Sequence, residues 1–155
     1  MCAACEDAVA EPHGAILEAL EAYQRAFSAH RPELARRSYH CPCTFVDAQS
    51  VTVCSSPAEI EDALGAIIQS LEARGWSHSE WSEVFVRPLD DTRAIVSTVA
   101  IRHASDGSEL ERIGGTYAFL KTDEGWKIAM TLAHPAAAVL RFGEKSGDAD
   151  SARRS

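Results

Sequence analysis

The stretch Gly114–Pro135, GGTYAFLKTDEGWKIAMTLAHP, decides how the chain is read. Apolar and polar residues alternate on both sides of Thr122-Asp123-Glu124-Gly125, and that tetrapeptide is turn chemistry. A period of two predicts a β-hairpin, Glu109–Lys121 followed by Gly125–Ala133. The same alternation upstream predicts strands over Ser77–Arg87 and Thr92–His103, joined through PLDD and ASDGS, which are also turns. Four strands in a row with hairpin links make an antiparallel meander.

The first half of the chain has a different period. In GAILEALEAYQRAFSAH, residues Ile16, Leu20, Tyr23 and Phe27 recur at helical spacing and form one apolar stripe. Pro32 opens a second, shorter helix, PELARRSY, where proline suits the first turn. CPCTFVDAQSVTVCS reads as two short strands around Phe45 and the β-branched Val51, Thr52 and Val53. In SSPAEIEDALGAIIQSLEARG, Ser56 is an N-cap, Pro57 takes the first helical position and Glu59 completes a capping box. Ile60, Leu64, Ile67, Ile68 and Leu71 form its buried stripe, and Gly75 supplies a left-handed stop. Helices grouped first and strands grouped last predict an α+β domain.

The 155 residues suit one domain. Residues 1–12 and 141–155 read as polar tails around a core of residues 13–140. No apolar run approaches the ~20 residues that cross a bilayer. The start lacks a basic segment followed by an apolar one, so the expected location is cytoplasmic. Fifteen basic against 23 acidic residues give a net charge of −8, and basic residues occur at most in pairs. A phosphate backbone needs a clustered positive surface, so neither nucleic acid nor an anionic membrane is expected as a partner.

Five cysteines, Cys2, Cys5, Cys41, Cys43 and Cys54, read as free thiols. Cys2 and Cys5, or Cys41 and Cys43, lack a second pair at structural-zinc spacing, so no metal is expected. Cys41 and Cys43 would share one face of an extended strand. No phosphate loop, nucleophile elbow or dinucleotide fingerprint is present, and no cofactor is expected.

In the last strand, Trp126, Ile128, Met130, Leu132 and His134 fall on one face by simple alternation. They are the bulkier set and are expected to face the helices, which puts His134 at a pocket rim. The opposite face, with Ala129, Thr131, Ala133 and the small residues of its neighbours (Ala94, Val96, Thr98 and Ala100, or their opposite-face partners), is small and uncharged. It is expected to pair with a second copy, giving a homodimer through the outer face of the sheet.

The order of these elements, with AYQRAF in the first helix and a meander ending GWKIAMTLAHP, resembles the nuclear transport factor 2-like superfamily, or cystatin-like fold. Within it the chain looks most like the SnoaL-like small-molecule branch. The resemblance covers about residues 13–135 and implies a curved sheet wrapped around three helices, a conical pocket and frequent dimers. It does not imply one activity, because the superfamily holds isomerases, cyclases, dehydratases and binding modules. Its steroid isomerases carry a tyrosine on the first helix and an aspartate ending the first strand, which match Tyr23 and Asp47. The resemblance then implies enolisation, with Asp47 moving a proton and Tyr23 stabilising the oxyanion. The isomerases' second acid falls near Gly115 here, and the proline after their aspartate is Ala48.

The catalytic candidates are therefore Asp47, Tyr23 and His134. Each has a structural alternative: Tyr23 as a packed aromatic, Asp47 as a turn residue, His134 as the close of a strand. Phe27, Tyr39, Phe45, Trp81, Arg102 and Tyr117 are the expected ligand-binding lining. Two functions stay open. One is a cofactor-independent isomerase, cyclase or hydratase acting on a small apolar carbonyl compound. The other is a binding module or scaffold without turnover.

Overall fold

The protein's structure, a computed structural model, describes residues 3–142. Cys2 and residues 143–155 of the expected C-terminal tail lie outside the described residues, as do the side chains of residues 3–11, Cys5 among them. Three helices precede or interrupt the strands: α1 (Ala3–Ser28), α2 (Pro32–Ala35) and α3 (Pro57–Ala73). Helix α1 starts within the stretch read as a lead-in. Six strands follow the chain as β1 (Tyr39–Val46), β2 (Val51–Cys54), β3 (Trp76–Pro88), β4 (Arg93–Ala104), β5 (Glu109–Thr122) and β6 (Gly125–Pro135). The second helix is shorter than expected, because a 3-10 turn over Arg36–Ser38 leads straight into β1.

The strands form one sheet in the order β2-β1-β6-β5-β4-β3. All neighbours are antiparallel except β1 and β6, which are parallel. The meander β3–β6 is the one expected. The β1–β2 hairpin adds to its last strand. This is the α+β cystatin-like arrangement.

Local chemistry explains the best-defined helix. Ser56 Oγ accepts from the Glu59 amide at 3.2 Å, and the Glu59 carboxylate accepts from the Ser55 amide at 3.1 Å. Two amide donors outside the helical ladder are thus satisfied reciprocally. Gly75 ends the helix with φ +87°, in the left-handed region that glycine adopts without strain. The apolar stripes of α1 (Ile16, Leu20) and α3 (Ile60, Leu64, Ile68, Leu71) are buried with Val96, Phe119 and Ile128 of the sheet. Each such side chain contributes ~1.5–3 kcal/mol by burial.

One irregularity changes the site. Ala118 pairs with Met130, but Phe119 pairs with Ile128, so β6 carries an extra residue at Ala129. A bulge of this kind reverses the facing of every later residue. Trp126 and Ile128 face the helices as expected. Beyond the bulge, Thr131 and Ala133 face inward, while Met130, Leu132 and His134 face outward. The expectation that all five bulky residues share the inner face is thereby corrected. So is the small outer face: Ala94 and Val96 are in the core, and Thr98, Ala100, Thr131 and Ala133 line the interior.

The true outer face is partly covered by the chain itself. After β6 a 3-10 turn (Ala136–Ala138) lies against β4 and β5. The Leu140 amide then donates to Ser97 Oγ at 2.9 Å, and Arg141 pairs with Glu83 and lies over the Phe85 ring.

Candidate functional site

A cavity of about 550 Å³ opens between α1, α3 and the inner face of the sheet. That volume is in the range of small-molecule sites. All six residues expected as lining border it: Phe27, Tyr39, Phe45, Trp81, Arg102 and Tyr117. Tyr23 and Asp47 border it as well. His134 does not.

The floor is aromatic. Tyr23 meets Tyr39 edge-on at 5.4 Å between ring centres, and Tyr117 meets Trp81 edge-on at 6.4 Å. Such tilted contacts suit the ring quadrupoles. The Trp81 indole N–H is sealed from solvent and has no acceptor, the one such buried side-chain group among the described residues.

Three hydroxyls form a directed chain within this floor. Tyr39 Oη donates to Tyr23 Oη at 3.0 Å and lies 3.1 Å from Thr131 Oγ1. A phenol has one proton, and Tyr39 spends it on Tyr23, so the Thr131 hydroxyl donates to Tyr39. No described residue accepts the Tyr23 proton. Burial pushes the Tyr23 phenol up to about 12, against smaller opposing effects of the Tyr39 hydrogen bond and the Arg102 charge. Tyr23 is therefore a neutral donor at physiological pH. Burial likewise raises Tyr39 and Tyr117.

Charge sits at the mouth. Arg102 of β4 donates to the Glu111 carboxylate at 2.6 Å, and Arg74, just past the end of α3, reaches the same carboxylate at 3.0 Å. Glu111 is held below its ordinary value, chiefly by the Arg74 hydrogen bond and also by Arg102, against the opposing effect of burial.

Asp47 stands at the exposed β1–β2 turn. Its Oδ1 accepts from the Gln49 amide (2.8 Å), the Ser50 amide (2.8 Å) and the Ser50 hydroxyl (3.2 Å). The two amide bonds, ahead of the hydroxyl, hold the carboxyl below its ordinary value. This is the turn role open to it from the sequence.

His134 is separated from the cavity by the sheet. Its Nδ1 faces the Pro135 carbonyl at 2.8 Å, so Nδ1 carries the proton. Nε2 then accepts from Thr116 Oγ1 at 2.7 Å, and Thr116 lies 2.8 Å from Ser97 Oγ. The placement of His134 at the pocket rim is thus corrected: the bulge at Ala129 turned it outward.

At Gly115, matched to the isomerases' second acid, an added Cβ would lie 3.0 Å from Tyr117 Oη. The tyrosine hydroxyl fills the space an acid would need. Among the lining residues that were not foreseen are the polar residues Arg74, Gln24 and Thr131. Arg74 precedes the helix-stopping Gly75, Gln24 is a buried polar residue beside Tyr23, and Thr131 faces inward because of the bulge at Ala129. Of these, Gln24, polar inside the QRAF stretch, carried the clearest signal.

Cys43 and Cys54 are buried cross-strand partners, and the Cys54 thiol donates to the Glu59 carbonyl at 3.6 Å. Cys41 is exposed while Cys43 is buried, and the β1 register slips between Tyr39 and Thr44. No helix among the described residues is long and apolar enough to cross a membrane.

A family model described as NTF2-like protein (DUF6841) matches residues 10–136. The chain belongs to this NTF2-like family. No functionally curated protein matches it in sequence. Among solved structures, an NTF2-like protein with a cystatin-like fold from Novosphingobium aromaticivorans superposes with a TM-score of 0.68 at 15% identity, covering 94% of this chain and 92% of that one. A protein from Streptomyces avermitilis, proposed to be a dehydratase of the NTF2-like family, gives 0.62 at 14%, with 83% and 98% covered. An NTF-2 like protein of unknown function from Shewanella oneidensis gives 0.63 at 13%, with 79% and 98% covered. These likenesses establish the NTF2-like fold.

Proposed function

We propose that this NTF2-like protein binds a small, mostly apolar molecule bearing a carbonyl or related oxygen, which sits against the aromatic floor with its oxygen at Tyr23. One observation carries the reading: the Thr131–Tyr39–Tyr23 chain ends in a neutral O–H that no described residue accepts. A buried donor chain of this kind is completed by an acceptor from outside the protein.

Binding without turnover is favoured over the isomerase, cyclase or hydratase alternative. Enolisation needs a base near the ligand. Among the described residues Asp47 is the only carboxylate lining the cavity, and its low proton affinity and turn bonds make it a weak base. His134 is on the other side of the sheet. Self-association through the outer face is a separate proposal, supported there by the exposed Leu132 and Leu140 and checked by light scattering at micromolar concentration.

The test is a thermal-shift screen against small ketones, lactones, steroids and aromatic acids, with Tyr23→Phe, Asp47→Asn and His134→Ala alongside. A ligand far above its dissociation constant stabilises the fold by ~2–4 kcal/mol. The expected pattern is a shift with one class that Tyr23→Phe reduces and the other two variants retain. No shift from any class overturns the reading.

A further inference from the structure

The mouth of the cavity has more hydrogen-bond donors than acceptors. Arg102 is 18% exposed at its side chain and borders the cavity. A guanidinium has five N–H groups. Arg102 uses Nη1 on Glu111, and no other described acceptor meets its remaining N–H groups, which are not sealed from solvent. Glu111 is shared, since Arg74 also bonds to it. Two cations on one carboxylate leave an excess positive charge at this end. The Tyr23 hydroxyl, with its own unaccepted proton, lies within reach of the Arg102 charge.

Opposing charge is weak here. Asp47 also borders the cavity, but it is fully exposed and its Oδ1 is covered by two amides and a hydroxyl. Solvent screens an exposed charge much more than a mostly buried one. The chain as a whole carries −8, so an anion has no general reason to approach it. A local cation in a low-dielectric cleft focuses its field on what enters the cleft.

We infer that the cavity selects a carboxylate-bearing ligand, its ring on the aromatic floor and its carboxylate at the free N–H face of Arg102. This rests on the binding reading above and names its ligand class. The guanidinium fork matches a carboxylate in two parallel hydrogen bonds, which a neutral ketone cannot copy. Glu111 then has two roles. It holds Arg102 in place, and it competes with the ligand for it.

The experiment compares 2-naphthoate with its neutral near-isostere 2-acetylnaphthalene by calorimetry on the full chain. Wild type is expected to bind the acid at least tenfold tighter, with the preference falling as salt rises. Arg102→Gln should lower acid affinity at least tenfold, to the level of the ketone in the same variant, and abolish the salt dependence of the preference. Glu111→Gln should tighten acid binding severalfold. That gain is a readout misfolding cannot mimic, and a purely structural Arg102–Glu111 pair would not produce it. Equal binding of both probes by wild type overturns the inference and leaves the pocket reading standing. If neither probe binds, this inference falls; if the wider screen is also silent, the pocket reading falls with it.

Discussion

The His134 imidazole occupies the space above Gly114, where an added Cβ would lie 2.3 Å from the ring and 2.8 Å from the Pro135 carbonyl oxygen. The two residues are cross-strand partners on the outer face of β5 and β6. Glycine at 114 thus lets the imidazole lie flat and reach Thr116.

Gly114→Ala is expected to destabilise the protein by ~1–3 kcal/mol, the range for overpacking. Removing the ring with His134→Ala in the same chain should recover part of that loss but not all, because the Pro135 carbonyl cannot retreat as a side chain can. Urea unfolding of the two single variants and the double variant checks this. Additive losses would show that the ring and the glycine are not coupled.

The chain has three tyrosines, Tyr23, Tyr39 and Tyr117, and all three are in the buried cluster with raised proton affinity. The folded protein should show no phenolate absorbance near the ordinary value of about 10. The sign is fixed by linkage. The folded values lie above the unfolded ones, so this contribution to stability is complete below about pH 10 and is lost as pH rises toward the folded values. Phenolate absorbance at alkaline pH should therefore appear together with unfolding followed by circular dichroism. A tyrosine titrating near pH 10 in a folded chain would contradict the cluster.

His30 gives a second pH dependence near neutrality. It has φ +61°, stacks on Trp76 at 4.5 Å, and places Nδ1 2.6 Å from the Glu72 carboxylate and Nε2 2.6 Å from the Ser77 carbonyl. Both partners are acceptors, so both are satisfied only by the imidazolium. Burial lowers its proton affinity, but the Glu72 bond, the Ser77 bond and the Glu72 charge together raise it above the ordinary value. The stabilisation is full below about pH 6.5 and is lost as pH rises through the raised folded value. Wild type should lose more stability between pH 6 and 8.5 than His30→Asn, whose asparagine tolerates the left-handed backbone. Parallel stability curves for the two would rule out this role.

Tyr39→Phe cuts the hydroxyl chain in the middle. It should cost ~0.5–1.5 kcal/mol per lost hydrogen bond, because Tyr23 loses a donor and Thr131 an acceptor. Tyr23→Phe removes only the terminal hydroxyl and should cost less in stability while costing more in ligand affinity. The split between unfolding midpoint and dissociation constant distinguishes positioning from contact. If both variants lose affinity equally without any stability difference, Tyr39 touches the ligand itself.

Much of the pocket was legible because its wall comes from periodic elements. Tyr23 and Phe27 follow from the stripe of α1, and Trp81, Arg102 and Tyr117 from strands whose ends were bounded by clear turns. Asp47 was legible only as a choice. The sequence DAQS permits either a turn-closing carboxylate or one turned into the pocket, and the amides of Gln49 and Ser50 decided for the first. Arg74 and Glu111 lie 37 residues apart, and nothing local brings them together.

By itself the sequence determined where α3 and the four meander strands begin and end, since capping at Ser56, the stop at Gly75 and the turn tetrapeptides act within a few residues of themselves. It also determined that the helices must cover a sheet, because one-sided apolar stripes need a partner surface. The tertiary structure alone decided which side of β6 enters the cavity. Strand β6 pairs with β5 on one edge and with β1 on the other, and both pairings skip Ala129. Side-chain parity in a strand is exact at period two, so that single residue sent Thr131 into the site and His134 out of it.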